Sequence, residues 1–128
     1  MISIDPKLSK PIFLQIVDGL KENIIKNILS PGDRIPSVRE LSMQLEINPN
    51  TISKSYKELE RQKIIETIQG RGTFISKNLK PIRDKEKFLE ICESLKKLII
   101  DSKYIGVNEI EFIKAVKDIY KSFGGEII

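Results

Sequence analysis

Asn48, Asn50, Thr51, Ser53, Lys54 and Lys57 place six hydrogen-bonding side chains within ten residues, a density suited to recognition. An asparagine amide can pair bidentately with adenine, hydroxyls can bond to bases or phosphates, and lysine brings charge to the backbone or to the acceptor pair of guanine. Upstream stands Arg39. Downstream, Gly70, Arg71 and Gly72 form a tip where a backbone can approach DNA closely and Arg71 can enter a minor groove or clamp a phosphate. Thr73 follows with a hydroxyl and an amide that suit a phosphate.

Catalysis has little to work with. The 128 residues contain no histidine and one cysteine, Cys92, so Ser-His and Cys-His pairs, internal disulfides and clusters with zinc-ligand spacing are all excluded. The carboxylates are scattered among lysines on helix surfaces, the pattern of a solvated face. We expect no enzyme, no metal and no cofactor. A formal charge of +4 suits an anionic partner without identifying it. The N-terminus lacks an apolar core of signal-peptide length, and no run approaches ~18 apolar residues, so a cytoplasmic protein with no membrane span is expected.

The elements that must position these groups are legible from caps and periodicity. Phe13, Ile16, Val17, Leu20, Ile24 and Ile28 recur at helical spacing, which predicts a helix from Pro11 to about Asn27, stopped by the turn residues Ser30 to Asp33. Ser37 and Glu40 are spaced as a capping box, opening a short helix to about Leu45 that buries Val38, Leu41 and Leu45. Arg39 would then sit in a first turn, where the helix dipole disfavours a cation and an external anion would relieve it. Asn48 with Pro49 caps a second helix to about Gln62, with Ile52, Tyr56 and Leu59 inward. Only Glu46 and Ile47 separate the two, a connection suited to a helix-turn-helix crossing. Ile64 to Ile68 and Thr73 to Ser76 are β-prone runs around Gln69-Gly70-Arg71-Gly72, which predicts a hairpin. Two capped helices followed by a hairpin make a winged helix-turn-helix, in which the second helix enters a major groove and the hairpin reaches the adjacent backbone.

With these residues in place, the stretch from Phe13 to Ile75, and especially PGDRIPSVREL, NPNTISKSYKELE and GRGTF, resembles the DNA-binding domain of GntR-family bacterial transcription regulators. The resemblance implies DNA contacts at Arg39, at Asn48, Asn50, Thr51, Ser53 and Lys54, and at Gly70 and Arg71. Many members carry arginine where this chain has Pro49 or Ser53, which shifts base reading toward Asn50 and Lys54. Ser37 is first a cap and secondarily a phosphate contact. Lys57 and Gly72 complete the expected surface.

The fold class expected is mainly α with a small β-hairpin: a winged helix-turn-helix over residues 1–77, a linker at 78–83, and a two-helix module over 84–128. Phe88, Ile91, Leu95, Leu98 and Ile99 recur along about Asp84 to Ser102. Ile110, Ile113, Val116, Ile119, Tyr120 and Phe123 recur along Asn108 to Gly124, with Asn108 and Glu111 as a further capping box and Gly124-Gly125 as a stop. Two lone amphipathic helices cannot shield both stripes from water, which points to a homodimer and hence a palindromic double-stranded operator. Cys92 would fill this seam. So short a tail is too small to enclose an effector cavity and resembles the YtrA-like subfamily, whose members often regulate ABC-transporter or envelope-stress genes. The contrasting expectation is a winged-helix protein-interaction or small-ligand sensing module without sequence-specific DNA binding.

Overall fold

A computed structural model describes residues 2–124, divided between Lys80 and Pro81 into two compact units. Five helices and three short strands are found among these residues, and no helix is long and apolar enough to cross a membrane.

The first unit opens with an extended lead docked by Gln15. Its buried side-chain amide accepts from the Asp5 amide at 2.9 Å and donates to the carbonyls of Asp5 and Lys10 at 3.0 and 2.9 Å. Every polar atom of that side chain is thereby matched, which is the condition for burying it. Helix α1 (Ile12–Ile25) buries Ile16, Val17, Leu20 and Ile24. It ends sooner than its apolar spacing suggests. Asn27 takes a left-handed φ of 61°, and the amides of Ile28 and Leu29 both return to the Asn23 carbonyl. The reversal throws Ile28 outward, 58% exposed, and hands its core position to Leu29.

Strand β1 (Arg34–Ile35) leads into α2 (Val38–Leu45), whose capping box is formed: the Glu40 amide donates to Ser37 Oγ at 3.1 Å, and the Ser37 amide to Glu40 Oε1 at 3.2 Å. At the other end Glu46 adopts a left-handed φ of 55°, and the buried Ser42 hydroxyl donates to the Ile47 carbonyl at 2.5 Å, closing the turn between helices. Helix α3 (Pro49–Arg61) begins where Asn48 Oδ1 accepts from the Asn50 amide at 2.8 Å. It buries Ile52, Ser55, Tyr56 and Leu59 against α1 and α2.

The wing has three strands where the sequence suggested two. Strand β2 (Ile65–Ile68) and strand β3 (Gly72–Ile75) form the expected hairpin, turning through Gln69, Gly70 and Arg71, and β1 pairs with the free edge of β3 in the order β1-β3-β2. All pairings are antiparallel, with Arg34 opposite Phe74 and Ile68 opposite Gly72. A two-residue strand shows no alternation in sequence, so only the pairing reveals it. Ile35, Ile65 and Ile75 complete one core with the inner faces of the helices, and Leu79, within the stretch expected to be linker, packs against it.

In the second unit α4 (Lys85–Tyr104) is capped by Asp84, whose carboxylate accepts from the Lys87 amide at 3.0 Å, and α5 (Glu109–Ser122) by the Asn108/Glu111 box. Gly124 adopts a left-handed φ of 85° after α5, while Gly125 lies outside the described residues. Neither helix has a buried residue in the single chain. Phe88 is 62% exposed, Ile110 80% and Tyr120 72%, and Cys92 is exposed as well.

Candidate nucleic-acid interface

One face of α3 is locked into the core, which fixes what the other presents. The Ser55 hydroxyl, fully buried, lies 3.0 Å from the carbonyls of both Phe13 and Thr51. The Tyr56 hydroxyl donates to the Pro36 carbonyl at 2.6 Å. Burial, and next the nearby Glu40 charge, push the Tyr56 hydroxyl well above its usual 10.0, so it remains a donor. These bonds hold α3 to α1 on one side and to the β1–α2 connection on the other.

On the opposite face Asn50, Lys54 and Lys57 are exposed and Thr51 and Ser53 half-buried. Asn48 spends its carbonyl oxygen on the cap and keeps its amide donors outward. Lys54 is more constrained than its sequence position indicated, because its ammonium lies 3.9 Å from the centre of the Phe13 ring. Phe13 therefore belongs to this surface through Lys54, although its apolar character marked it only as part of a core stripe.

Arg39 is exposed in the first turn of α2, and among the described residues it forms no ion pair. The same holds for Arg34, Lys57 and Arg71. Three cations of the unit are paired, Lys10 with Asp18, Lys26 with Glu22, and Arg61 with Glu58 at 2.7 Å, while Lys7, Lys63, Lys77 and Lys80 also form no ion pair among the described residues. Hydrogen bonds from Arg61 and then Gln62 hold the Glu58 carboxyl down at about 2. Arg34, Arg39, Lys54, Lys57 and Arg71 thus put unpaired positive charge on the outer face of α3, the start of α2 and the wing, the places where winged helices in general meet DNA.

At the tip, Gly70 and Gly72 take φ of 79° and 122°, a region that side chains with a Cβ avoid, and Arg71 is exposed between them. Ser37 is half-buried, its oxygen committed to the Glu40 amide. Thr73 differs from expectation. As a residue of the middle strand it points inward, 7% exposed, with its hydroxyl 3.4 Å from that of Thr67 and strands paired on both sides. A DNA contact through that side chain does not fit, because the alternation that buries Ile75 also buries Thr73.

Comparison with known proteins agrees with this geometry. The profile for "Bacterial regulatory proteins, gntR family" matches residues 13–75. The chain is 51% identical over 119 residues to the HTH-type transcriptional repressor YtrA of Bacillus subtilis (strain 168), covering 93% of this chain and 92% of that protein. A crystal structure of a transcriptional antiterminator from Listeria monocytogenes EGD-e superposes with a TM-score of 0.88 at 39% identity, covering 100% of this chain and 96% of that one. The AraR DNA-binding domain in complex with operator ORE1 aligns with a TM-score of 0.51 at 25% identity, covering 59% of this chain and 93% of that one. The family consists of DNA-binding regulators, not enzymes. A winged helix-turn-helix with unmatched cations at its reading helix and wing, continued by two helices, places this chain in the GntR family of bacterial transcription regulators, within its YtrA-like subfamily.

Proposed function

We propose that the protein is a homodimeric repressor of a palindromic operator, with Asn50 and Lys54 reading bases from α3 and Arg39, Lys57 and Arg71 engaging phosphates or groove edges. The observation that carries this reading is the exposed polar face of α3 beside cations that no carboxylate neutralises within the described residues. Such charges repel one another until an anion arrives, so they favour binding a polyanion over an isolated chain.

Dimerisation rests on the second unit. Leu95, Leu98, Ile99, Ile113 and Ile119 are all exposed on α4 and α5, alongside Phe88, Ile91, Ile110 and Tyr120. Val116 and Phe123 are half-buried. A stable interface covers about 800 Å2 per partner with an apolar centre, and paired copies of these helices offer one. Two-fold pairing presents two reading helices and calls for half-sites about one helical turn, or a multiple, apart. The subfamily resemblance supports ABC-transporter or envelope-stress genes as the targets of this regulation.

Selection from a randomised duplex library tests the reading. Enrichment of an inverted repeat, bound more tightly than shuffled DNA at matched salt, is expected. Equal affinity for selected and shuffled duplexes would overturn the sequence-specific part.

A further inference from the structure

Arg34 was not among the residues whose sequence context pointed to DNA. It occupies the first position of β1, where the alternation that buries Ile35 leaves its own side chain outward. Its register partner is Phe74, and Gly72 lies two residues earlier on the same outward face of β3. The Arg34 side chain crosses to that position: a Cβ built on Gly72 would stand 3.0 Å from Arg34 Nε, 3.5 Å from Nη2 and 3.6 Å from Cζ. The guanidinium thus rests beside a wing residue that has no side chain, and Arg71 is the residue immediately before it in the chain.

Two arginines thereby flank Gly72, Arg34 from β1 and Arg71 from the hairpin turn, 37 residues apart in sequence. Arg34 forms no ion pair among the described residues. Glu40, a carboxylate that feels the Arg34 charge, is engaged with the Ser37 amide at the cap. Beside Gly72 the Arg34 guanidinium makes no hydrogen bond among the described residues, so its N–H groups stay available to an oxyanion, which the planar fork suits.

We propose that Arg34 is a second phosphate-binding arginine of the wing, held over Gly72 so that it and Arg71 grip the DNA backbone at the hairpin end. A phosphate contact positions the protein without reading sequence. The glycine at position 72 then has a double role: it satisfies the backbone at φ 122° and leaves open the seat of the Arg34 side chain.

This inference rests on the DNA-binding reading above, and a probe without an operator separates the two. Fluorescence anisotropy of the full chain would be measured on a labelled random-sequence duplex about three helical turns long, across a salt series, with thermal melting of each variant in parallel. Arg34→Gln should weaken binding about tenfold and lower the slope of log affinity against log salt by about 1 per bound protomer, with an unchanged melting point. Arg34→Lys should restore the slope but only part of the affinity, since an ammonium cannot reproduce the fork. An Arg34→Gln protein that binds with wild-type affinity and slope overturns the proposal. So does weakened binding with an unaltered slope, which would mark a structural role. A wild-type chain that holds no duplex at all would overturn the DNA-binding reading with it, whereas loss of operator preference alone would leave the role of Arg34 standing.

Discussion

The ammonium of Lys54 lies 3.9 Å from the centre of the Phe13 ring, while the neighbouring Ser55 hydroxyl reaches the Phe13 backbone carbonyl at 3.0 Å. One residue of α1 therefore meets α3 twice, through its backbone and through its ring. The lysine expected to help read DNA is held against a face that limits its rotamers.

Phe13→Leu should remove the seat while keeping an apolar side chain. A double-mutant cycle with Lys54→Met, followed by urea denaturation, should give a coupling of about 0.5–1 kcal/mol, the range for an exposed cation over a ring. Operator affinity should fall in Phe13→Leu through the loss of the Lys54 seat, with no direct DNA contact required of Phe13. Zero coupling in the cycle would remove the ring's role.

Tyr56→Phe deletes the donor to the Pro36 carbonyl and leaves a partly buried acceptor unmatched. A loss of about 1–2 kcal/mol in unfolding free energy is expected, read from the urea midpoint. The hydroxyl also links stability to alkaline pH. Its folded pKa lies above the ordinary 10.0, so the neutral form is favoured in the native state. The stabilising contribution is intact below 10.0 and declines as pH rises past it, and Tyr56→Phe should remove that part of the alkaline decline.

Glu58 gives the opposite limb. Its carboxyl is held at about 2, below the ordinary 4.5, so its contribution is present above 4.5 and is lost as pH falls toward 2. Melting temperature followed over that interval should fall less steeply in Glu58→Gln than in wild type. Because Arg61 is largely exposed, added salt should shrink the difference.

Leu95→Glu and Ile113→Glu place a charge on the exposed apolar faces of α4 and α5. Light scattering should show these variants as monomers, with operator binding weakened many-fold and the melting of the winged domain retained. Persistence of the dimer in both would exclude these faces as the interface.

Asn50→Ala and Arg71→Ala should separate reading from holding. The first should cost about 1–3 kcal/mol on operator and little on random DNA, while the second should weaken both equally and reduce the salt slope by about 1. The ratio of operator to random affinity, measured at one salt concentration, distinguishes them.

The caps were legible because a capping box depends on residues three apart: Ser37 with Glu40 and Asn108 with Glu111 form as their spacing implies. Arg39 and Arg71 were legible for a related reason, since each sits in a local setting that leaves its charge exposed. Ile28 was not. The apolar period continues through it, but the left-handed turn at Asn27 competes successfully by satisfying the last carbonyls of α1 and placing Leu29 inward.

Sequence alone determined the order of the five helices and the hairpin, the helix starts, the glycine tip and the polar face of α3, because each arises from interactions within a few residues. Tertiary structure alone decided that a two-residue strand closes the wing, that Thr73 faces inward, that Lys54 lies on Phe13, and that Arg34 crosses Gly72. Those placements join positions far apart in the chain. Which side chains meet there is set by strand register and by the packing of one shared core, and neither leaves a local period to be read.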